Sequence, residues 1–185
     1  FRLLDSRNHA QLQLEQVQLG PEALLGELGS AWPALNRALD RGGVCLAAEL
    51  LGMAEKLFEM TLDYLKTRVQ FDVAIGSFQS LQHRAATLYV ELSLARSAVM
   101  AGLSALDDPS LSEVERQRFA SLAKWKASET AINVANEAVQ MHGGIGVTDE
   151  LDVGLFLKRI RVAQACLGDA DYHCERYAML ECAHV

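Results

Sequence analysis

The chain is poor in cysteine and has no CxxC pair. Cys45, Cys166, Cys174 and Cys182 are scattered, which argues against a disulfide scaffold and for reduced thiols in a cytoplasmic protein. Cys174, Cys182 and His184 match no zinc-binding spacing, so no metal site is expected. Positive charge is scarce too: 17 Lys and Arg face 24 Asp and Glu, a net charge of −7. A nucleic-acid binder carries a basic stripe. The nearest candidate, LKRIRVAQ at 157–164, is short and set among apolar residues, so nucleic-acid binding is not expected. Half the residues are hydrophobic, yet no charge-free apolar run reaches the roughly 18 residues that a membrane span requires. The N-terminal FRLLDSRNHAQ has no basic segment followed by an apolar one, so it does not read as a signal peptide. It also lacks an initiator Met, which implies a processed chain or a piece of a longer one.

A chain of 185 residues is the size of one domain and can bury about 70% of the surface its unfolded form exposes. Its first part differs from the rest. In HAQLQLEQVQLG at 9–20, Ala10, Leu12 and Leu14 alternate with polar residues, and Val17 and Leu19 continue after a phase reset at Glu15–Gln16. Period two predicts half-buried strands with a bulge or turn between them. Gly20, Pro21, Gly26 and Gly29 then mark a connector.

From Ala34 onward the period is helical. Glu49, Gly52, Lys56, Glu59, Asp63 and Lys66 recur at steps of three and four. They form one solvated stripe on a long helix over about 33–70 that is otherwise buried, and Glu49 belongs to that stripe. A second helix is predicted from about Phe78, with Ser77 as candidate N-cap and Leu81, Ala85, Leu88, Leu92, Ala95, Val99, Leu103 and Leu106 on its apolar face. Pro109 stops it. Ser112 and Glu115 read as a capping box for a third helix, whose inner face carries Phe119, Ala123, Ala127, Ala131, Val134, Ala138 and Met141. A fourth helical region spans about 153–180 with an interruption near Leu167–Gly168. Four antiparallel segments on short connections predict an all-α, up-and-down four-helix bundle.

Two stretches carry chemistry. EAVQMHGGIGVTDE at 137–150 stops a strongly helical run on glycines. Gly143 suits the left-handed residue that ends a helix, and the same turn could admit a phosphate-bearing ligand. No strand precedes it, so GGIG is not a dinucleotide fingerprint. His142 beside that turn suits a cap or packing residue. In YLKTRVQFDVAIGSFQSLQH at 64–83, Arg68 and Phe71 share a helix face. A guanidinium beside an aromatic ring suits an anionic, planar ligand, although an Arg at a helix C-terminus is also favourable by itself.

Together the stretches resemble the acyl-CoA dehydrogenase family. Its last domain is a four-helix bundle preceded by a β domain. There R-x-x-F-G-x-x-I-x-x-F-Q joins the first two helices and Q-x-H-G-G-x-G ends the third. This chain has RVQFDVAIGSFQ at 68–79 and QMHGGIG at 140–146. The resemblance divides the chain into residues 1–31, the end of the middle β domain and its connector, and 32–185, the C-terminal bundle. It implies FAD as cofactor, with Arg68 on the pyrophosphate, Phe71 near the adenine end and Phe78 also among the cofactor-binding residues. Gln79 and Gln140 would supply hydrogen bonds, and Gly143 and Gly144 would let the backbone approach the phosphates. It also implies an acyl-CoA substrate, an electron-transfer acceptor and a homo- or hetero-oligomer, because the flavin is commonly shared between subunits.

The departures are as informative. The family removes an α-proton with a carboxylate, usually a Glu followed by Gly near the start of the last helix. Here VAQACLGDADYH at 162–173 places Leu167 at that Glu and keeps Gly168 on the substrate side. A minority of members carry the base on the first bundle helix, where this chain has Gly42. Asp40 matches a substrate-side Asp of the family, but Gly43 replaces an Arg three residues on, and Asp72 replaces the Gly after Phe71. Three readings follow: a subunit whose partner carries the base, an enzyme using Asp40 or Asp169 instead, or a bundle without activity of its own.

Overall fold

The computed structural model describes residues 2–182. Helix α1 spans Ala31–Thr67, α2 Gln79–Asp107, α3 Glu113–His142, α4 Val153–Ala165 and α5 Ala170–Cys182. Between α1 and α2 lies a small antiparallel hairpin, β1 Val69–Gln70 and β2 Val73–Ala74. The chain runs up α1, down α2 and up α3; α4 and α5 share the fourth position. The all-α bundle expected from periodicity is the observed fold.

Helix α3 is the centre and packs on each of the other four helices. Its inner residues are mainly alanines: Ala123, Ala127, Ala131, Ala135 and Ala138 are buried. Short side chains let neighbouring backbones come close. Gly102 of α2 marks the limit, since a Cβ there would lie 2.8 Å from the Ala123 Cβ. Larger side chains come from the flanks, with Leu50 and Leu57 of α1, Leu88, Leu92 and Val99 of α2, and Ile160 of α4 all buried. Each contributes about 1.5–3 kcal/mol by leaving water. Polar ties register the helices: Arg159 of α4 forms ion pairs with Glu49 of α1 and with Asp5.

The predicted capping box is present: the Ser112 hydroxyl accepts from the Glu115 amide at 3.2 Å, and the Glu115 carboxylate accepts from the Ser112 amide at 2.7 Å. Other expectations need correction. Ser77 does not cap α2; its hydroxyl donates to the Ala74 carbonyl within a 3-10 turn, and Phe78 takes the N-cap position. Leu103 is partly exposed while Gly102 and Ala105 are buried, because only small residues fit where α2 closes on α3. Glu49 is tied to Arg159 rather than merely solvated. The alternating segment 10–19 forms no strand and is exposed; among the described residues the one bridge before α1 pairs Arg2 with Asn8. A strand needs a partner to satisfy its backbone, and this segment has none among the described residues.

Candidate functional site

The first cluster forms where α1 ends. Arg68 leaves the helix in extended conformation while its amide still donates to the Tyr64 carbonyl at 2.8 Å. The hairpin then turns on Phe71 and Asp72, at φ 53° and 62°. Two consecutive left-handed residues match the twist of a tight hairpin. Asp tolerates that conformation, which accounts for Asp72 where the family pattern has Gly. Phe71 does not tolerate it readily; a bulky residue there stores about 1–3 kcal/mol. Its ring is 86% exposed and makes one aromatic contact, edge-on with Phe78 at 6.1 Å. Arg68 and Gln79, the first residue of α2, are exposed beside it.

At the end of α3, Gly143 adopts φ 66° and ψ −142°, a region open almost only to glycine. His142 is buried; its ring is bonded through Nδ1 to the Ala138 carbonyl at 2.7 Å and lies 4.5 Å from the Tyr64 ring. It is therefore a packing residue, and it clips the end of α3 to the end of α1. Tyr64 is one turn before Arg68, and His142 immediately precedes Gly143. The guanidinium, the aromatic hairpin and the glycine corner are thus brought to one end of the bundle, with Gln140 exposed among them. The glycines there divide into two kinds. A Cβ on Gly146 would strike the Val139 carbonyl at 2.8 Å, whereas one on Gly143 or Gly144 would meet nothing within 4 Å. Gly146 serves the fold, and Gly143 and Gly144 face open space. Among the described residues the Arg68 guanidinium has no ion-pair partner, and with the open glycine corner it offers the positive charge and backbone access a dinucleotide phosphate needs, while the rings suit a base.

The second cluster surrounds the corner between α4 and α5. Leu167 and Gly168 are left-handed, at φ 59° and 96°. A Cβ on Gly42 would lie 3.0 Å from Leu167 Cδ1. The two positions at which the resemblance would put the base therefore face each other, and neither is an acid. The acids nearby are occupied. Both Asp40 oxygens accept from Arg176, at 2.5 and 3.0 Å, and Arg176 also donates to Ser121. Asp169 caps α5 through the Tyr172 amide at 2.9 Å. Asp40 and Asp169 thus read as structural groups rather than bases. Gly42 sits about a third of the way along α1 and Arg68 just past its C-terminus, about 40 Å apart at ~1.5 Å per residue.

Lys124 and His173 escaped the sequence reading. Lys124 is fully buried and donates to the Gly168 carbonyl at 2.8 Å, the Gln164 carbonyl at 2.9 Å and Ser128 at 3.2 Å. Burial lowers its pKa to about 8, against the opposing fields of Cys166 and Asp169. His173 is 4% exposed. Its Nε2 donates to the Leu167 carbonyl at 2.9 Å, which leaves Nδ1 buried without a partner. Burial holds its pKa down at about 4, helped by Lys124 and Arg176. The available signal was a lysine on the inner face of an alanine-rich helix. Among the described residues no His, Cys, Asp and Glu group is placed to hold a metal, and His184 lies outside them. No helix among them is long and apolar enough to cross a membrane.

Residues 29–180 match the family described as acyl-CoA dehydrogenase, C-terminal domain. The acyl-CoA dehydrogenase IpdE2 of Mycobacterium tuberculosis is 42% identical over 154 residues, covering 83% of this chain and 42% of that protein. A variant of the Tcur3481-Tcur3483 steroid ACAD superposes with TM-score 0.77 at 31% identity, over 84% of this chain and 42% of that one. The ChsE4-ChsE5 complex of Mycobacterium tuberculosis superposes with TM-score 0.73 at 26% identity, over 80% and 39%. The chain spans about two fifths of the length of these proteins.

Proposed function

Because the chain belongs to the acyl-CoA dehydrogenase family through that family's C-terminal domain, we propose that it is the C-terminal part of an FAD-dependent acyl-CoA dehydrogenase that acts as the subunit lacking the base in a heteromer. The reaction would be α,β-dehydrogenation of an acyl-CoA thioester to the 2-enoyl-CoA. The observation that carries the cofactor reading is the meeting of Arg68, the strained Phe71 turn and the open Gly143–Gly144 corner at one bundle end. Arg68 would pair with the pyrophosphate, Phe71 and Phe78 would pack on the adenine end, Gln79 and Gln140 would bond polar edges, and the two glycines would admit the phosphates. When bound, FAD supplies the hydride acceptor.

Distance supports sharing between subunits. The proposed cofactor end and the Leu167 corner are separated by about 40 Å along α1, farther than one dinucleotide reaches. A complete site would then combine the flavin end of one chain with the thioester corner of another. The corner itself cannot take the α-proton, since Leu167 faces Gly42, Arg176 engages Asp40 and Asp169 caps α5. Removing a general base costs about 10²–10⁴ in rate, so the base would come from a partner chain. The names of the steroid ACAD and the ChsE4-ChsE5 complex accord with paired subunits. The lack of an acid also favours a second reading, a non-catalytic helical module that oligomerises and completes a partner's flavin site.

Flavin absorbance of the full-length protein tests the cofactor reading. Arg68→Ala is expected to weaken FAD retention about ten- to a hundredfold, the loss of one charge-assisted contact to phosphate. Undiminished flavin in that variant would sink it. Turnover of an acyl-CoA panel with an artificial electron acceptor separates the two functional readings: the heteromeric enzyme is active only with its base-carrying partner, whereas the module adds flavin binding and no turnover. Activity of the protein purified alone would defeat the paired-subunit reading.

A further inference from the structure

Two consecutive carbonyls of the α4–α5 corner are held from opposite sides. Lys124 reaches up from α3 to the Gly168 carbonyl, and His173 reaches back from α5 to the Leu167 carbonyl. A second Lys124 proton goes to Gln164, which closes the last turn of α4, and the third to Ser128. All three donors are used, and none meets a carboxylate. A lysine is almost never fully buried without a partner of opposite charge, because an apolar chain of the same length packs there at lower cost. The carbonyl dipoles at the end of α4 substitute for that partner.

What these bonds hold is strained. Leu167 is a non-glycine residue in the left-handed region, which leucine avoids. Gly168 beside it is locked by its surroundings, since a Cβ there would lie 2.4 Å from the Tyr172 ring and 2.9 Å from His173 Nε2. We propose that Lys124 is a positioning residue: together with His173 it holds the Leu167–Gly168 corner in the conformation that sets residue 167 against Gly42, and so shapes the wall on which an acyl thioester lies. This rests on the reading that residue 167 borders the thioester site. The groups that act on Lys124 are Cys166 and Asp169 from the corner and His173 from α5; Arg176 acts on His173 and is itself paired with Asp40 of α1. Deprotonation near pH 8 would remove one of the three donors and loosen the corner.

The test uses the full-length flavoprotein and octyl-CoA, a thioether that lacks the thioester carbonyl and is not turned over. Lys124→Met is expected to keep its flavin, to weaken octyl-CoA binding at least tenfold, and to speed amide exchange at residues 166–169 while leaving α1 and α2 unchanged. Wild-type affinity should fall between pH 7 and 9, and that of Lys124→Met should stay flat. If the Met variant fails to fold, Lys124→Gln is measured against the same outcomes. Unchanged octyl-CoA affinity, an identical pH profile in wild type and variant, or a wild type that binds no octyl-CoA would overturn the proposal. Its failure is distinct from that of the flavin reading. Full flavin retention in Arg68→Ala would defeat the latter and leave the exchange result at the corner standing.

Discussion

Mild acid should destabilise this bundle through one histidine. His173 titrates near 6.5 when exposed but at about 4 in the folded chain, because burial penalises its charged form. The unfolded chain therefore takes up a proton first as the pH falls. The stability contributed by neutral His173 is complete above pH 6.5 and is lost progressively as the pH drops towards 4. The shift of about 2.5 units, at ~1.36 kcal/mol each, amounts to about 3.4 kcal/mol, of which about 2 kcal/mol is gone by pH 5. Depressed carboxylates such as Glu49 also titrate, but from below their ordinary value of 4.5, so their losses come later. The assay is urea unfolding at pH 7.5 and pH 5 for wild type and His173→Gln, whose amide can still donate to the Leu167 carbonyl. Wild type should lose about 2 kcal/mol more than the variant between those two conditions. Equal losses in the two proteins would refute the reasoning, since the acid response would then have another source.

Three further substitutions test other parts of the structure. Asp40→Ala should cost about 3 kcal/mol in denaturant titrations by leaving the part-buried Arg176 guanidinium without its carboxylate, whereas Asp40→Leu combined with Arg176→Met should recover most of it. Gly143→Ala should cost about 1–3 kcal/mol of thermal stability through its backbone alone. Gly144→Ala, with neither positive φ nor a close neighbour, should leave stability unchanged and reduce flavin retention.

Much of the bundle could be read before any coordinates. Steps of three and four located the helices because burial along a helix must repeat at that period. The Ser112–Glu115 box and the break at Pro109 are local effects, decided within a few residues. The same local logic failed at 10–19, where alternation alone cannot make a strand without a neighbour to bond. It failed at Ser77, whose hydroxyl found a nearer carbonyl.

The site divides along the same line. Arg68, Phe71, Gln140 and Gly143 were singled out by their resemblance to the family's two motifs, since local spacing alone also fitted a helix end. That they converge depends on Tyr64 meeting His142, a contact between residues far apart in sequence. Lys124 looked like any helix lysine; only α4 and α5, closing over α3, made it a buried donor to the Leu167–Gly168 corner. The amino-acid order thus determined which segments coil, where they stop, and that the usual acid is missing. Only the packing of the helices decided that Gly42 faces Leu167 and that Arg176 claims Asp40, far along α1 from the Arg68 end. Local periodicity specifies which faces are buried, but not which neighbour buries them.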